Sequence, residues 1–349
     1  MILTNIEKKE YDRYFSYYDF SKDFTNKTFL ITGAKGLLGQ GIIKWLLYLN
    51  EKSNTNISII ASTRNKNIIP EYIEKKDNIE YCEFKNELAF CKNIKIDYII
   101  HCATPTDRDA YINTPYETLN VIIDGTKQMI EILKDLSKNN NMAKMIYVSS
   151  EEAYGIVNSS TAIKENHVGP VDSLNNRSCY SLGKKAAELM CVTSSREYNL
   201  NINIVRPTVI FGLLQKYEWD RIENEVLKCI LENRNLNMKT KGLTKKSVVY
   251  SLDAVSAILF VLIKGENNNV YNITNPSTYD TVSNNADKMF SLYNKNCKIV
   301  YEQNESNSGY LEKREMLLDI NKIKSLGWEP KTELNEIYRI DIERFRVKN

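Results

Sequence analysis

A short apolar segment, Thr28 to Thr32, runs directly into TGAKGLLG (Thr32 to Gly39) and then into the apolar stretch Gln40 to Leu49. The first segment reads as a buried strand and the last as a helix, with Gly33, Gly36 and Gly39 in the turn between them. Few folds accept such a junction. Glycines let the backbone turn tightly, approach a pyrophosphate and seat helix on strand, while the helix N-terminus favours negative charge. The expected fold is therefore α/β, a doubly wound parallel sheet of the Rossmann type that holds a dinucleotide at its strand ends. Gly33, Gly36, Leu37, Leu38 and Gly39 are the expected cofactor contacts in this turn.

The second strand, Ile57 to Ala61, leads into Ser62, Thr63 and Arg64. An acidic residue here would hold the adenosine ribose of NAD, and none is present; an arginine beside hydroxyls suits the 2′-phosphate of NADP. Arg64 and Ser62 are candidate contacts, the alternative being a solvated Arg64 with the ribose held by backbone and Ser62. At this point NAD and NADP both stay open. After a weaker strand at Ile79 to Phe84, IDYIIHCA (Ile96 to Ala103) reads as a central strand whose end, at Ala103 and Thr104, faces the ligands. His101 is expected to be a core histidine, and His167 stands alone in a loop, so no metal site is expected.

Pro115 to Leu136 has the length of a long helix, and the strand Met145 to Ser149 ends in SSEEAYG (Ser149 to Gly155). Further on, RSCYSLGKKAAE (Arg177 to Glu188) puts Tyr180 and Lys184 four residues apart, on one helix face and one turn from each other. A phenol of pKa about 10 beside an ammonium is expected to exchange a proton near neutrality, which is acid/base chemistry on an alcohol or carbonyl. Ser150 at the strand end is placed to hydrogen-bond the same oxygen. Glu151 and Glu152 follow it. Two adjacent glutamates usually point to solvent; if one turns inward it is a candidate acid or base for a second step.

Length and charge narrow the rest. The 349 residues suffice for an N-terminal extension (1–25), a dinucleotide-binding domain with the catalytic helix (26–206) and a smaller substrate lobe (207–349) interleaved with the end of the sheet. Lys plus Arg total 47 against 44 acidic residues, a net charge of +3 that implies no nucleic-acid partner. The seven cysteines are scattered and odd in number, as in a reduced cytoplasmic protein. No run approaches the length of a membrane span, so neither a signal peptide nor a membrane partner is expected.

With these residues in view, the chain resembles the extended short-chain dehydrogenase/reductase superfamily, specifically its nucleotide-sugar epimerases, dehydratases and decarboxylases. The resemblance rests on TGAKGLLG, HCA, SSEEAYG, Tyr180-x-x-x-Lys184, RPTVIFG (Arg206 to Gly212) and the ending Asp319, Lys322 and LGWEP (Leu326 to Pro330). It implies an NAD cofactor, with NADP not excluded, and a nucleoside-diphosphate sugar oxidised at carbon 4. It also implies Tyr180 as base, Lys184 as electrostatic partner and ribose anchor, Ser150 as hydrogen-bond partner, Thr104 as a substrate contact and a homodimer. The 4,6-dehydratases of this family carry Thr-Asp-Glu where this chain has Ser150-Glu151-Glu152, the glucuronate decarboxylases Thr-Ser-Glu. RSCYSLGKKAAE looks more like the decarboxylases. A decarboxylase or 4,6-dehydratase is thus the leading expectation, a 4-epimerase or 4-keto reductase the second, and a catalytically silent dinucleotide sensor or scaffold the alternative of another class. The chain departs from the family at Ile122 and Val209, where asparagines are usual, and at Lys246, where decarboxylases have an arginine that binds phosphate or carboxylate. Lysine keeps the charge without the bidentate fork.

Overall fold

The computed structural model describes residues 1–74, 77–106, 108–138, 142–302 and 315–346. Strand β1 (Thr28–Thr32) is followed through Gly36 by the helix Leu37–Ser53. That helix begins three residues before the expected Gln40, because Gly36 is already extended (φ −74°, ψ 168°) and serves as its N-cap. It ends at Asn54, a left-handed residue (φ 51°). The sheet continues with β2 (Ser58–Thr63), β3 (Ile79–Glu83), β4 (Tyr98–His101), β5 (Lys144–Val148) and β6 (Asn201–Pro207), and is completed by Val270–Ile273. Strand β4 is shorter than expected: the Ala103 amide leaves the ladder and donates to Thr32 Oγ1.

All seven strands are parallel, in the order Val270–Ile273, β6, β5, β4, β1, β2, β3. The order reverses between β1 and β4, and such a switch point opens a crevice outside the strand ends. Register brings Thr32 beside both Ser62 and His101, so the glycine turn sits among three strand ends. The strands read as continuous apolar runs because both faces are covered, β1 being buried from Phe29 to Thr32. One face carries Leu37–Ser53 and Ser251–Lys264, the latter buried from Ser251 to Leu259; the other carries Pro115–Lys138 and Ser178–Tyr198. These last two helices approach closely at Gly183, where a Cβ would lie 2.9 Å from Ile122 Cδ1. Ile122, one of the departures from the family, is thus a fully buried packing residue.

The N-terminal segment forms a helix, Asn5–Tyr17, opened by a capping box between Thr4 and Glu7. Its Tyr11 and Tyr14 are fully buried against Trp45 of the glycine-turn helix. Tyr14 Oη lies 2.6 Å from Thr332 Oγ1, Tyr18 donates to Glu329 O, and Tyr250 donates to Glu10 at 3.1 Å. The segment is therefore wedged between the nucleotide-binding half and residues 240 to 318 positions further on. No helix among the described residues is long and apolar enough to cross a membrane.

Candidate active site

Tyr180 and Lys184 lie in the first two turns of Ser178–Tyr198, facing the end of β5. Both are buried, at 8% and 2% exposure. The Lys184 ammonium donates to Val148 O (2.7 Å) and Thr104 Oγ1 (2.8 Å), and sits 4.9 Å from the Tyr147 ring centroid and 5.7 Å from that of Tyr180. Burial pulls its pKa down to about 7, with Cys102, Glu188 and Cys191 opposing the shift. The Thr104 hydroxyl in turn donates to Ala103 O, so Ala103, Thr104 and Lys184 form one connected corner at the end of β4.

Tyr180 corrects one expectation. Instead of a phenol drawn toward neutrality by its neighbouring cation, burial pushes it up to about 12; a hydrogen bond with Ser150 and the charge of Arg221 act downward, Glu152 and Glu151 upward. Lys184 spends its protons on Val148 and Thr104, so in the unliganded protein the phenol is protonated throughout the neutral range. Ser150 is extended and caps a single 3₁₀ turn, Glu151–Tyr154, by accepting from the Glu152 amide at 3.2 Å. That turn brings both half-buried glutamates near Tyr180, with Glu152 the stronger influence.

Two residues at this site carry no local sequence signal. Tyr111 packs its ring 4.9 Å from that of Tyr180. Arg221, just before the helix Ile222–Glu232, donates to Thr106 O at 2.8 Å from the opposite wall and has no carboxylate partner among the described residues. Only tertiary contact identifies them.

Around the glycine turn, Gly33 has φ +66° and a Cβ there would lie 2.9 Å from Ala103 N and Cys102 C; one on Gly39 would lie 2.3 Å from Gly33 O. The cradle admits backbone only, with half-buried Leu37 and Leu38 on its rim. It fits a pyrophosphate laid across the start of a helix. At the end of β2 the structure differs from expectation. Ser62 is fully buried and its hydroxyl donates to buried Glu87, which also accepts from Gln128, so its proton is already taken within the protein. Arg64 is exposed on the loop beyond. Lys246, expected to meet substrate anions, forms an ion pair with buried Glu223 at 2.5 Å. Its charge is compensated within the protein. His101 is buried with Nδ1 2.6 Å from Thr32 Oγ1 and Nε2 unpartnered, and burial draws its pKa down to about 3. Three carboxylates gather at Glu51, Glu74 and Asp77, around the ammonium of Met1.

A cradle too tight for any side chain, set where a parallel sheet reverses its order, defines a dinucleotide-binding α/β enzyme. Residues 29–274 match the model of the NAD dependent epimerase/dehydratase family. The chain belongs to that family, and its cofactor is NAD. It is 25% identical to UDP-glucuronic acid decarboxylase 6 of Arabidopsis thaliana over 327 residues, 93% of this chain and 90% of that one. The fold is shared with UDP-glucose 4-epimerase of Thermotoga maritima, solved with UDP-glucose (TM-score 0.75, 22% identity, 92% of this chain and 99% of that one). It is shared equally with dTDP-glucose 4,6-dehydratase of Bacillus anthracis, solved in complex with NAD (TM-score 0.73, 20% identity, 93% and 97%).

Proposed function

We propose that this enzyme acts on a nucleoside-diphosphate sugar through a transient 4-keto intermediate, as a decarboxylase or a 4,6-dehydratase. The observation that carries it is the grouping at the end of β5, where Ser150 and the turn holding Glu151 and Glu152 pack against the helix of Tyr180, and Lys184 donates to Val148 O beside the dinucleotide cradle. The similarity to a plant UDP-glucuronic acid decarboxylase supports the same reading. NAD, when bound, accepts a hydride from the sugar and later returns it. Tyr180 Oη takes the proton of the carbon-4 hydroxyl, Ser150 Oγ hydrogen-bonds that oxygen, and Lys184 supplies positive charge and a ribose contact. Thr104 orients Lys184 and borders the sugar. Gly33, Gly36, Leu37, Leu38, Gly39 and Ala103 hold the dinucleotide, and Arg221, with no carboxylate partner among the described residues, is the anchor for the diphosphate. Residues 26–206 act as the nucleotide-binding lobe and 207–349 as the substrate lobe.

The two reactions differ at Glu151 and Glu152. Once carbon 4 is a ketone, the proton on carbon 5 is acidic, because the resulting carbanion is stabilised next door. Loss of the carbon-6 hydroxyl as water needs a base for that proton and an acid for the leaving group, roles that two carboxyls in unlike surroundings can divide. Loss of carbon dioxide leaves its electron pair in the same ketone, and an acid is needed only afterwards, at carbon 5. Glu151→Gln is therefore expected to stop dehydration and barely slow decarboxylation, and Glu152→Gln to impair both. The assay is a panel of UDP-, dTDP-, GDP- and CDP-sugars with NAD, read by mass spectrometry for lost carbon dioxide or lost water. Unchanged mass with a new retention time would point instead to epimerisation, two added hydrogens when NADH replaces NAD to a reductase, and no change on any sugar to a sensor.

Association is assigned to the helices Pro115–Lys138 and Ser178–Tyr198, which leave Tyr116 72% and Leu189 63% exposed. A C2 homodimer that covers them is the expected state, and a monomer by light scattering at assay concentration would refute it. The seven unpaired cysteines suit a cytoplasmic location.

A further inference from the structure

Eight residues beyond Tyr180, on the same face of the same helix, Glu188 is buried and makes three hydrogen bonds. It accepts from Ser149 Oγ at 2.5 Å, from Arg206 Nε at 2.9 Å and from Arg206 Nη2 at 2.5 Å. Arg206, at the end of β6, also donates to Glu165 O (3.0 Å) and lies 4.3 Å from the ring centroid of Tyr154. Tyr154 donates to Asn272 Oδ1 (2.7 Å), whose backbone amide donates to Glu165 Oε1 (3.0 Å). The side chains of Glu188 and Arg206 are only 9% and 11% exposed. Taking two charges out of water costs more than an ordinary apolar pair, and breaking such a pair costs more still, so stability alone does not account for it.

The network reaches the site from three sides. Ser149 immediately precedes Ser150; Glu188 shares a helix with Tyr180; Tyr154 ends the 3₁₀ turn that carries Glu151 and Glu152. We propose that Glu188 is a positioning residue for the reaction read above: through Ser149 and Arg206 it sets the separation between Ser150 and Tyr180. It touches neither substrate nor cofactor. Two residues eight apart on a rigid helix move together, so a strand end tied to Glu188 is tied to Tyr180. General acid/base transfer tolerates little error in that separation, since the donor and acceptor must meet within hydrogen-bond reach.

Ser149→Ala is the mildest test, because it removes one oxygen and leaves the Glu188–Arg206 pair intact. With tyrosine labelled at the ring carbon bearing the hydroxyl, the full-length protein gives a resonance for Tyr180 that is assigned by its loss in Tyr180→Phe. In Ser149→Ala that resonance is expected to move toward its position in Ser150→Ala, while thermal stability stays near that of the unaltered protein. Turnover is expected to fall about tenfold with KM within twofold. In a Ser150→Ala background the Ser149→Ala change is expected to add nothing, since the effect passes through Ser150. An unmoved Tyr180 resonance, or losses that simply add, would overturn the positioning role. The resonance needs no substrate, so absence of nucleotide-sugar turnover in the unaltered protein would count against the functional reading and leave this test standing.

Discussion

Tyr180→Phe is expected to lose about 10²- to 10⁴-fold in turnover while binding NAD as tightly as the unaltered protein. The change deletes one oxygen, and with it the transferable proton. The ring stays packed against Tyr111, so no cavity opens and the fold is kept. Isothermal titration with NAD and single-turnover rates on the sugar separate the two quantities. A variant with full turnover would remove Tyr180 from the mechanism.

The second large effect belongs to Lys184. Lys184→Ala is expected to lower both turnover and NAD affinity by tenfold or more, because one ammonium serves the phenol and the ribose. Its pH signature is the sharper measurement. Burial lowers the folded-state pKa from 10.5 to about 7. Below pH 7 the lysine is protonated whether the chain is folded or not, and the fold bears the whole cost of burying the charge, on the order of 5 kcal/mol. Between about pH 7 and 10.5 the folded protein has released that proton and the unfolded chain has kept it, so the unfolded state binds more protons and stability rises with pH. Melting temperatures of the unaltered protein and of Lys184→Met, measured across this interval, are expected to shift relative to each other, the unaltered protein gaining on the variant as pH rises. Parallel curves would mean that the ammonium is better solvated than its 2% exposure implies.

What was legible in the sequence was whatever depends on near neighbours. TGAKGLLG announces its turn because backbone geometry at Gly33 and Gly39 excludes side chains, and the Tyr180–Lys184 spacing is fixed by helix pitch. The strands leading to Ala103 and Ser150 followed from apolar run length, though their ladders stop at His101 and Val148. What escaped is set by partners far along the chain. Ser62 looks like a ribose contact until Glu87, twenty-five residues on, claims its hydroxyl. Lys246 looks like a free cation until Glu223 neutralises it. The phenol of Tyr180 looks acidified by its neighbour, yet desolvation outweighs that, and desolvation is a property of the packed core that no four-residue spacing reveals.

The helix Asn5–Tyr17 has a consequence for how the chain reaches this state. One side of its aromatic face meets Trp45 and Tyr48 early, but the other is closed only when Tyr14 meets Thr332, 318 residues later, and when Tyr250 closes on Glu10. During synthesis, at roughly 5–20 residues per second, the helix emerges first and its partners last. For many seconds Tyr14 and Tyr18 have Trp45 and Phe20 beside them but lack Thr332 and Glu329. The nucleotide-binding strands can pair before then, but the layer above them stays unsealed until the late segment arrives. Completion of the core is thus a late event in translation, with a long-range contact as its final step.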